Sequence, residues 1–329
     1  MRTVLVTGGA GFVGSHLCES LLSDDRRVIC LDDLSSGRMV NVDRFRDDER
    51  FTFVEGDVTE EIRVALGSNA IDPNRIERIY HLASRASPAD FDDHPLEIAR
   101  TNSEGTSNVL RFARNVDARV LYTSTSEVYG DPQVHPQPES YRGSVSPLGA
   151  RACYDESKRF GETLCGVFAE TYGIDVRIAR LFNTYGPRMR PDDGRVVPNF
   201  LTQVLRGEDL TIYGDGTQTR CFLYIDDQVR GLRALMAASL RTPPPIVVNL
   251  GSVDEITIDA LTETVIDVTG ATIDVVYEPL PAGDPQRRQP DISRAKNELG
   301  WQPTIELEDG LRKTHDWFKK QLWQVPNEY

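Results

Sequence analysis

The stretch Thr7-Gly8-Gly9-Ala10-Gly11-Phe12-Val13-Gly14 decides the fold. It follows a β-branched run over residues 2–7 and opens into residues 12–22, which read as a helix. Gly8, Gly11 and Gly14 stand three apart at this strand-to-helix turn. Glycines there let the backbone turn tightly and approach a pyrophosphate. The helix start then offers free N–H groups and the positive end of its dipole. Gly8, Gly11, Phe12, Val13 and Gly14 are therefore expected to hold a dinucleotide. The alternative is a turn whose glycines serve packing alone.

Further along, a second strand over 27–31 runs into Asp32-Asp33. An acidic residue about 20 positions past the glycines hydrogen-bonds a ribose 2′-hydroxyl and repels a 2′-phosphate, so Asp32 predicts NAD rather than NADP. Asp57, after a third strand over 51–54, reads equally as a partner of the adenine edge or as a helix N-cap. More strands are expected at 78–82, 119–123 and 175–181, with helices at 60–66, 96–115 and 154–172. Strands alternating with helices imply an α/β fold, a Rossmann-type doubly wound parallel sheet.

After residue 182 the pattern breaks at Pro187, Pro191 and Gly194. Residues 1–182 are expected to form the dinucleotide domain, with the chain returning to it around 222–252, where an apolar strand spans 246–250. Residues 183–221 and 253–329 are expected to form a smaller α/β substrate lobe.

Bulk properties exclude several classes. The chain has 329 residues, 51 acids against 37 Lys and Arg, and a formal net charge of -14. Such a surface repels nucleic acid and acidic membranes, and no apolar run reaches the length that spans a bilayer. Lys occurs only at 158, 296, 313, 319 and 320; a high-salt cytoplasm and a GC-rich genome account for that equally. The five cysteines are scattered and odd in number, and the five histidines show no ligand spacing. Reduced thiols, a cytoplasmic setting and no metal are expected. The start runs straight into a strand, which leaves no room for a signal peptide.

The chemistry is carried by Tyr154-Asp155-Glu156-Ser157-Lys158. Residues four apart share a helix face. A tyrosine with a reference pKa near ~10 needs help to act as a base; a nearby ammonium and an oxidised nicotinamide favour its phenolate. Thr123-Ser124-Thr125-Ser126-Glu127 ends the strand over 119–123, at the carboxyl edge where open α/β sheets bind ligands. Thr125 is placed to bond a reacting hydroxyl. Glu127 offers a carboxylate, or is a surface or capping glutamate.

Taken together, these segments resemble the extended short-chain dehydrogenases of the NAD-dependent epimerase/dehydratase family. The resemblance extends through Phe182-Asn183-Thr184-Tyr185-Gly186-Pro187-Arg188, Asp193-Gly194-Arg195, Tyr213-Gly214-Asp215-Gly216-Thr217-Gln218-Thr219-Arg220 and Asp284-Pro285-Gln286-Arg287-Arg288. Within that family the Ser-Thr-Ser-Glu run and the Arg288 segment are similar to the UDP-glucuronate decarboxylases (UDP-xylose synthases).

The resemblance implies that Tyr154 is the base, Lys158 its partner, and Thr125 a hydrogen-bond partner at the sugar C4 hydroxyl. Glu127 positions or protonates the sugar around C5, and Arg288 contacts the substrate carboxylate. Asp33, Gly37, Asp57, Val58, Leu82, Ser84, Thr101, Thr184 and Arg195 would join the glycine loop and Asp32 around NAD. Arg100, Asn108, Asn183, Tyr213 and Arg220 would lie on the UDP-sugar side. A homodimer through the helices at 96–115 and 154–172 is implied as well. The implied reaction is decarboxylation of UDP-glucuronate by way of a 4-keto sugar, with no net redox change. The alternatives are a UDP-sugar 4-epimerase or a non-catalytic NAD-sensing protein. Arg85 stands where the family usually has Pro, and Ala89-Asp90-Phe91 replaces a more aromatic and basic loop. That departure bears on the identity of the sugar.

Overall fold

The computed structural model describes residues 2–240, 243–279 and 286–324; Asp284 and Pro285 of the Arg288 segment lie outside them. The first half alternates β1 (Thr3–Thr7), α1 (Phe12–Leu22), β2 (Arg27–Asp32), β3 (Phe51–Glu55), α2 (Ile62–Ser68), β4 (Ile76–His81), α3 (Pro95–Arg100), α4 (Thr106–Val116), β5 (Arg119–Thr125), α5 (Ala152–Tyr172) and β6 (Val176–Leu181). The second half holds β7 (Thr184–Tyr185), α6 (Val196–Arg206), β8 (Leu210–Tyr213), β9 (Thr219–Cys221), β10 (Leu223–Tyr224), α7 (Ile225–Ala237), β11 (Ile246–Leu250), β12 (Glu255–Thr257), α8 (Ile258–Thr269), β13 (Val275–Glu278), α9 (Ser293–Leu299) and α10 (Leu307–Gln324).

Seven strands form one parallel sheet in the order β11-β6-β5-β4-β1-β2-β3. Because side chains alternate across a strand and both faces are covered, β1 is buried throughout, with Val4-Leu5-Val6 apolar between Thr3 and Thr7. Val4 and Val6 pack with Leu17 and Leu21 of α1 and Leu232 of α7, while Leu5 packs with Ile62, Leu66 and Val109 from the opposite layer. The order reverses between β1 and β4, which opens a crevice at the carboxyl ends of these strands.

The later segments pair in twos: β7 with β10, β8 with β13, β9 with β12. Their helices do not build a separate core. Phe200, Leu261 and Leu311 belong to the same apolar cluster as Val4 and Leu17. β11 extends the large sheet beside β6.

The helix expected over 96–115 is two helices joined by a π-helical turn, Thr101–Gly105. Gly105 lies against Val58, where an added Cβ would meet Val58 Cγ2 at 2.7 Å. Such turns widen a helix locally, and this one brings Thr101 to the crevice wall.

Candidate active site

A cleft of about 860 Å³ runs along the carboxyl edge of the sheet, between it and the second half of the chain. At its floor the glycine loop meets its steric limits. Gly8 has φ +71°, and a Cβ there would come within 2.6 Å of the Ala83 backbone. On Gly14 a Cβ would sit 2.1 Å from the Gly8 carbonyl oxygen. Neither position admits a side chain without moving the backbone. α1 starts at Gly11 with no side-chain cap, so its first N–H groups are offered to whatever occupies the cleft. Phe12 and Val13 line the cleft beside them.

Asp32 ends β2 at 6% exposure. Its Oδ2 accepts from Ala10 N at 2.9 Å and its Oδ1 from Leu34 N at 2.9 Å. Burial pushes this carboxyl up, against those backbone hydrogen bonds. Each carboxylate oxygen retains a lone pair for a ribose hydroxyl. A 2′-phosphate beside it would be repelled, so the floor fits NAD. Asp33 is turned outward, accepting from Ser35 N at 3.0 Å, and lines the rim with Gly37. Asp57 and Val58 form the wall beyond β3, Leu82 and Ser84 the wall beyond β4. Asp57 Oδ1 accepts from Thr59 N at 2.8 Å. The N-cap of α2 is Glu61, so Asp57 closes a local turn and caps no helix.

Tyr154 and Lys158 project from the first turns of α5. Lys158 Nζ donates to the Thr123 carbonyl at 3.0 Å and lies 5.9 Å from the Tyr154 ring centroid. Burial lowers its pKa to about 7. Burial pushes the Tyr154 phenol up to about 12, against a hydrogen bond with the Thr125 side chain that lowers it. The ammonium is turned toward a carbonyl, and its own charge is weakened by burial, so the protein's side chains alone do not make a phenolate. Phe91 stacks on Tyr154, with ring centroids 5.1 Å apart and 21° between planes.

Beyond Thr125 the chain turns through Ser126–Tyr129, placing Glu127 between two guanidinium groups. Arg288 Nη1 bonds one carboxylate oxygen, and Arg151 Nη2 the other at 2.5 Å. Burial alone would raise the Glu127 carboxyl, but Arg288 and then Arg151 overcome it and hold it at about 2. Glu127 is therefore an anion at neutral pH and has no proton to give. Of its two expected roles, this pairing serves positioning. Arg288 is 4% exposed. Its Nη2 donates to the Gly130 carbonyl at 2.9 Å, and its Nε is buried with no hydrogen-bond partner.

The second half closes the cleft. Asn183, Thr184, Arg195, Tyr213 and Arg220 all line it. The Thr184 hydroxyl lies 3.0 Å from Gln228 Oε1; Arg195 is paired with Asp193, and Arg220 Nη1 donates to the Thr219 carbonyl at 2.8 Å. Arg100 stands at the rim, paired with Glu104 at 3.3 Å. The departing loop also faces the cleft. Asp90 lies 3.3 Å from Arg190 Nη2 and 3.9 Å from Arg85 Nη1.

Asn108 is not in the cleft, contrary to expectation. Its amide donates to the carbonyls of Val58 at 3.1 Å and Thr59 at 2.8 Å. α4 runs behind the loop after β3, so Asn108 satisfies backbone carbonyls of that loop instead of touching substrate. Arg151 and Asp155 were not foreseen, and Phe91 was foreseen only as part of the departing loop, not as a ring stacked on Tyr154. Arg151 carried one signal, its place four residues before Asp155, but the helix was expected to start only at Tyr154. Among the described residues no group of three His, Cys, Asp or Glu side chains forms a metal site, and no helix is long and apolar enough to cross a membrane.

The chain belongs to the NAD dependent epimerase/dehydratase family, whose model matches residues 4–251; NAD is its cofactor, and the cleft floor fits it. Over its whole length the chain is 46% identical to UDP-glucuronic acid decarboxylase 1 of Xenopus tropicalis, covering 75% of that protein. It is 45% identical to UDP-glucuronic acid decarboxylase 3 of Arabidopsis thaliana across 97% of this chain and 90% of that one. Among solved structures, the UDP-glucuronic acid 4-epimerase of Bacillus cereus in complex with UDP-glucuronic acid and NAD superposes with a TM-score of 0.86. The two share 30% identity over 97% of this chain and 100% of that one.

Proposed function

We propose that this chain decarboxylates UDP-glucuronate to UDP-xylose, with NAD as cofactor and no net redox change. The observation that carries this reading is the cation at the sugar end of the cleft. Arg288 is buried, bonded to Glu127, and keeps one donor, Nε, without a partner. A neutral hexose gives such a group nothing to neutralise, whereas a sugar acid does. Relatives named as UDP-glucuronic acid decarboxylases, 46% identical over the full chain, support the same reading.

The residues divide the work as follows. Tyr154, bonded to Thr125, removes the proton of the C4 hydroxyl. Bound NAD supplies a reversible two-electron oxidation at C4 and a positive charge beside the phenol. Once C4 is a ketone, the C5 carboxylate is β to it, and the pair of electrons released with carbon dioxide is accepted by that ketone. Arg288 and Glu127 fix the carboxylate and the C5 face. A proton then adds to C5, and the C4 ketone is reduced.

Incubating the enzyme with UDP-glucuronate and NAD is expected to release carbon dioxide and give a pentose nucleotide in equal amounts. UDP-galacturonate without carbon dioxide would replace this reading with 4-epimerisation. Bound NAD without turnover of any UDP-sugar would favour a sensing role.

A homodimer belongs to the same proposal. Phe160 and Val167 lie seven apart on α5 and are 50% and 51% exposed, an apolar stripe suited to a second copy. Light scattering is expected to read twice the chain mass, and half that for a Phe160→Glu, Val167→Glu variant; a monomeric wild type sinks the dimer. A cytoplasmic setting also belongs here. All five cysteines are free thiols, which suits a reducing compartment.

A further inference from the structure

We propose that Asp155 is a positioning residue of this site that works as a neutral acid. Its protonated carboxyl leaves Arg151 on Glu127, and its ionisation weakens the site at alkaline pH. The inference rests on the decarboxylase reading.

Asp155 follows Tyr154 on the first turn of α5 and is 7% exposed. Its Oδ2 lies 3.8 Å from Arg151 Nε, while its Oδ1 is buried with no hydrogen-bond partner. Glu127 takes the hydrogen bond of Arg151 at 2.5 Å while Asp155 lies 3.8 Å from the same guanidinium, and leaving a buried oxygen unpartnered costs more for an ionised carboxylate than for a neutral acid. The charged groups acting on it include Glu127 from the turn after β5, Arg288 from the segment before α9, and Arg151 and Glu156 beside it on α5; the titratable Cys153 and Tyr154 of the same turn interact with its charge as well. Burial first, and the Glu127 charge second, let it keep its proton up to about 7, while Arg151 and Arg288 pull the other way. The N-terminal end of α5 also favours the anion. Two carboxylates joined through one guanidinium are thus driven in opposite directions, Glu127 to the anion and Asp155 to the acid.

Charge counting gives the consequence. With Asp155 neutral, Arg151, Arg288 and Glu127 sum to one positive charge, which matches one substrate carboxylate. With Asp155 ionised the sum is zero. Arg151 is then drawn from Glu127, and Glu127 competes with the substrate for Arg288. The loss appears in KM for UDP-glucuronate more than in NAD binding.

The test uses Asp155→Asn in the holoenzyme, because asparagine copies the shape of the neutral acid. At pH 6.5 its kcat/KM is expected to drop by about three- to tenfold, since the amide keeps the shape of the neutral acid but not its proton. Above about pH 7 the wild type falls toward tenfold per pH unit, and in D155N this limb moves up by at least about one unit. The pH dependence of the melting midpoint reads the same proton without substrate. A folded value above the unfolded value means that wild-type stability falls as pH rises from about 4 to about 7; D155N lacks that fall. If D155N does not fold, carbon-13 NMR of aspartate carboxyls in the wild type decides, since one must titrate near neutrality. Loss of about 100-fold or more in folded D155N at pH 6.5 overturns the proposal. So does an unshifted alkaline limb, or the lack of any aspartate titrating above about pH 5. Failure of the decarboxylase reading is seen separately, as wild type that does not turn over UDP-glucuronate.

Discussion

Replacing Tyr154 with phenylalanine lowers kcat for UDP-glucuronate by about 10²–10⁴-fold, the range for loss of a positioned general acid–base group, or about 3–5 kcal/mol of barrier. The fold persists, because phenylalanine keeps the buried ring and its stack on Phe91 at 5.1 Å. NAD still binds, because the glycine loop and Asp32 are untouched. Only the hydroxyl bonded to Thr125 is lost. The measurement is single-turnover oxidation of C4 in Y154F, read from cofactor absorbance beside bound-NAD content. The first must collapse while the second holds. Y154F turning over at the wild-type rate would mean that another group takes the C4 proton.

Much of this was legible in the sequence because it is enforced locally. Gly14 allows no alternative residue, since a Cβ there meets the Gly8 and Gly9 backbone of the same turn, and Gly8 is marked locally by its φ of +71°, although the backbone its Cβ would meet is the distant Ala83. β1 to β6 and β11 read as strands because a parallel sheet covered on both faces demands short runs rich in β-branched and apolar residues. Tyr154 and Lys158 meet because helical spacing places them together. The remainder depends on contacts distant in sequence. The register of β8 against β13 joins Leu210 to Val275, and no local pattern announces it. Asn108 was misplaced because its residue type suits a sugar hydroxyl as well as a carbonyl; only the position of α4 behind the β3 loop decides between them. Arg151 was overlooked because α5 begins at Ala152, so that Arg151 is its N-cap and reaches Glu127 across 24 positions. The same contact, with Arg288 at a separation of 161, pairs both oxygens of Glu127 and lowers its carboxyl, and residue type alone does not encode that.

Arg288→Gln is expected to lower kcat/KM for UDP-glucuronate by about 10²–10³-fold, in keeping with the 2–5 kcal/mol lost when one partner of a buried charge pair is removed. The surrounding backbone has its own anchors. Gln289 N donates to Gln137 Oε1 at 2.9 Å, Gln137 N to the Gln289 carbonyl at 2.9 Å, and Thr219 N to the Gln286 carbonyl at 3.0 Å. The lost element is therefore the cation and not the loop. A glutamine can still reach the Gly130 carbonyl, but it leaves Glu127 with Arg151 as its one charged partner of the two. Because Glu127 is held below its ordinary value, its ionisation favours the folded state above about pH 4.5, and that contribution disappears as pH falls toward 2. R288Q should therefore melt lower than wild type at pH 7, with the difference shrinking in acid. Chemistry separates the roles further. C4 oxidation needs Tyr154 and NAD, so R288Q should still reduce the cofactor on adding saturating UDP-glucuronate. Carbon dioxide release should lag behind, because the carboxylate is no longer fixed. With UDP-glucose, which has no carboxylate, wild type and R288Q should differ little, so the preference for the sugar acid over the neutral sugar narrows by the factor lost in kcat/KM. Equal losses on both nucleotides would mean that Arg288 acts on the fold or on the nucleotide, and that the carboxylate is recognised elsewhere in the cleft, with Arg85 and Arg190 beside Asp90 the nearest other cations to test.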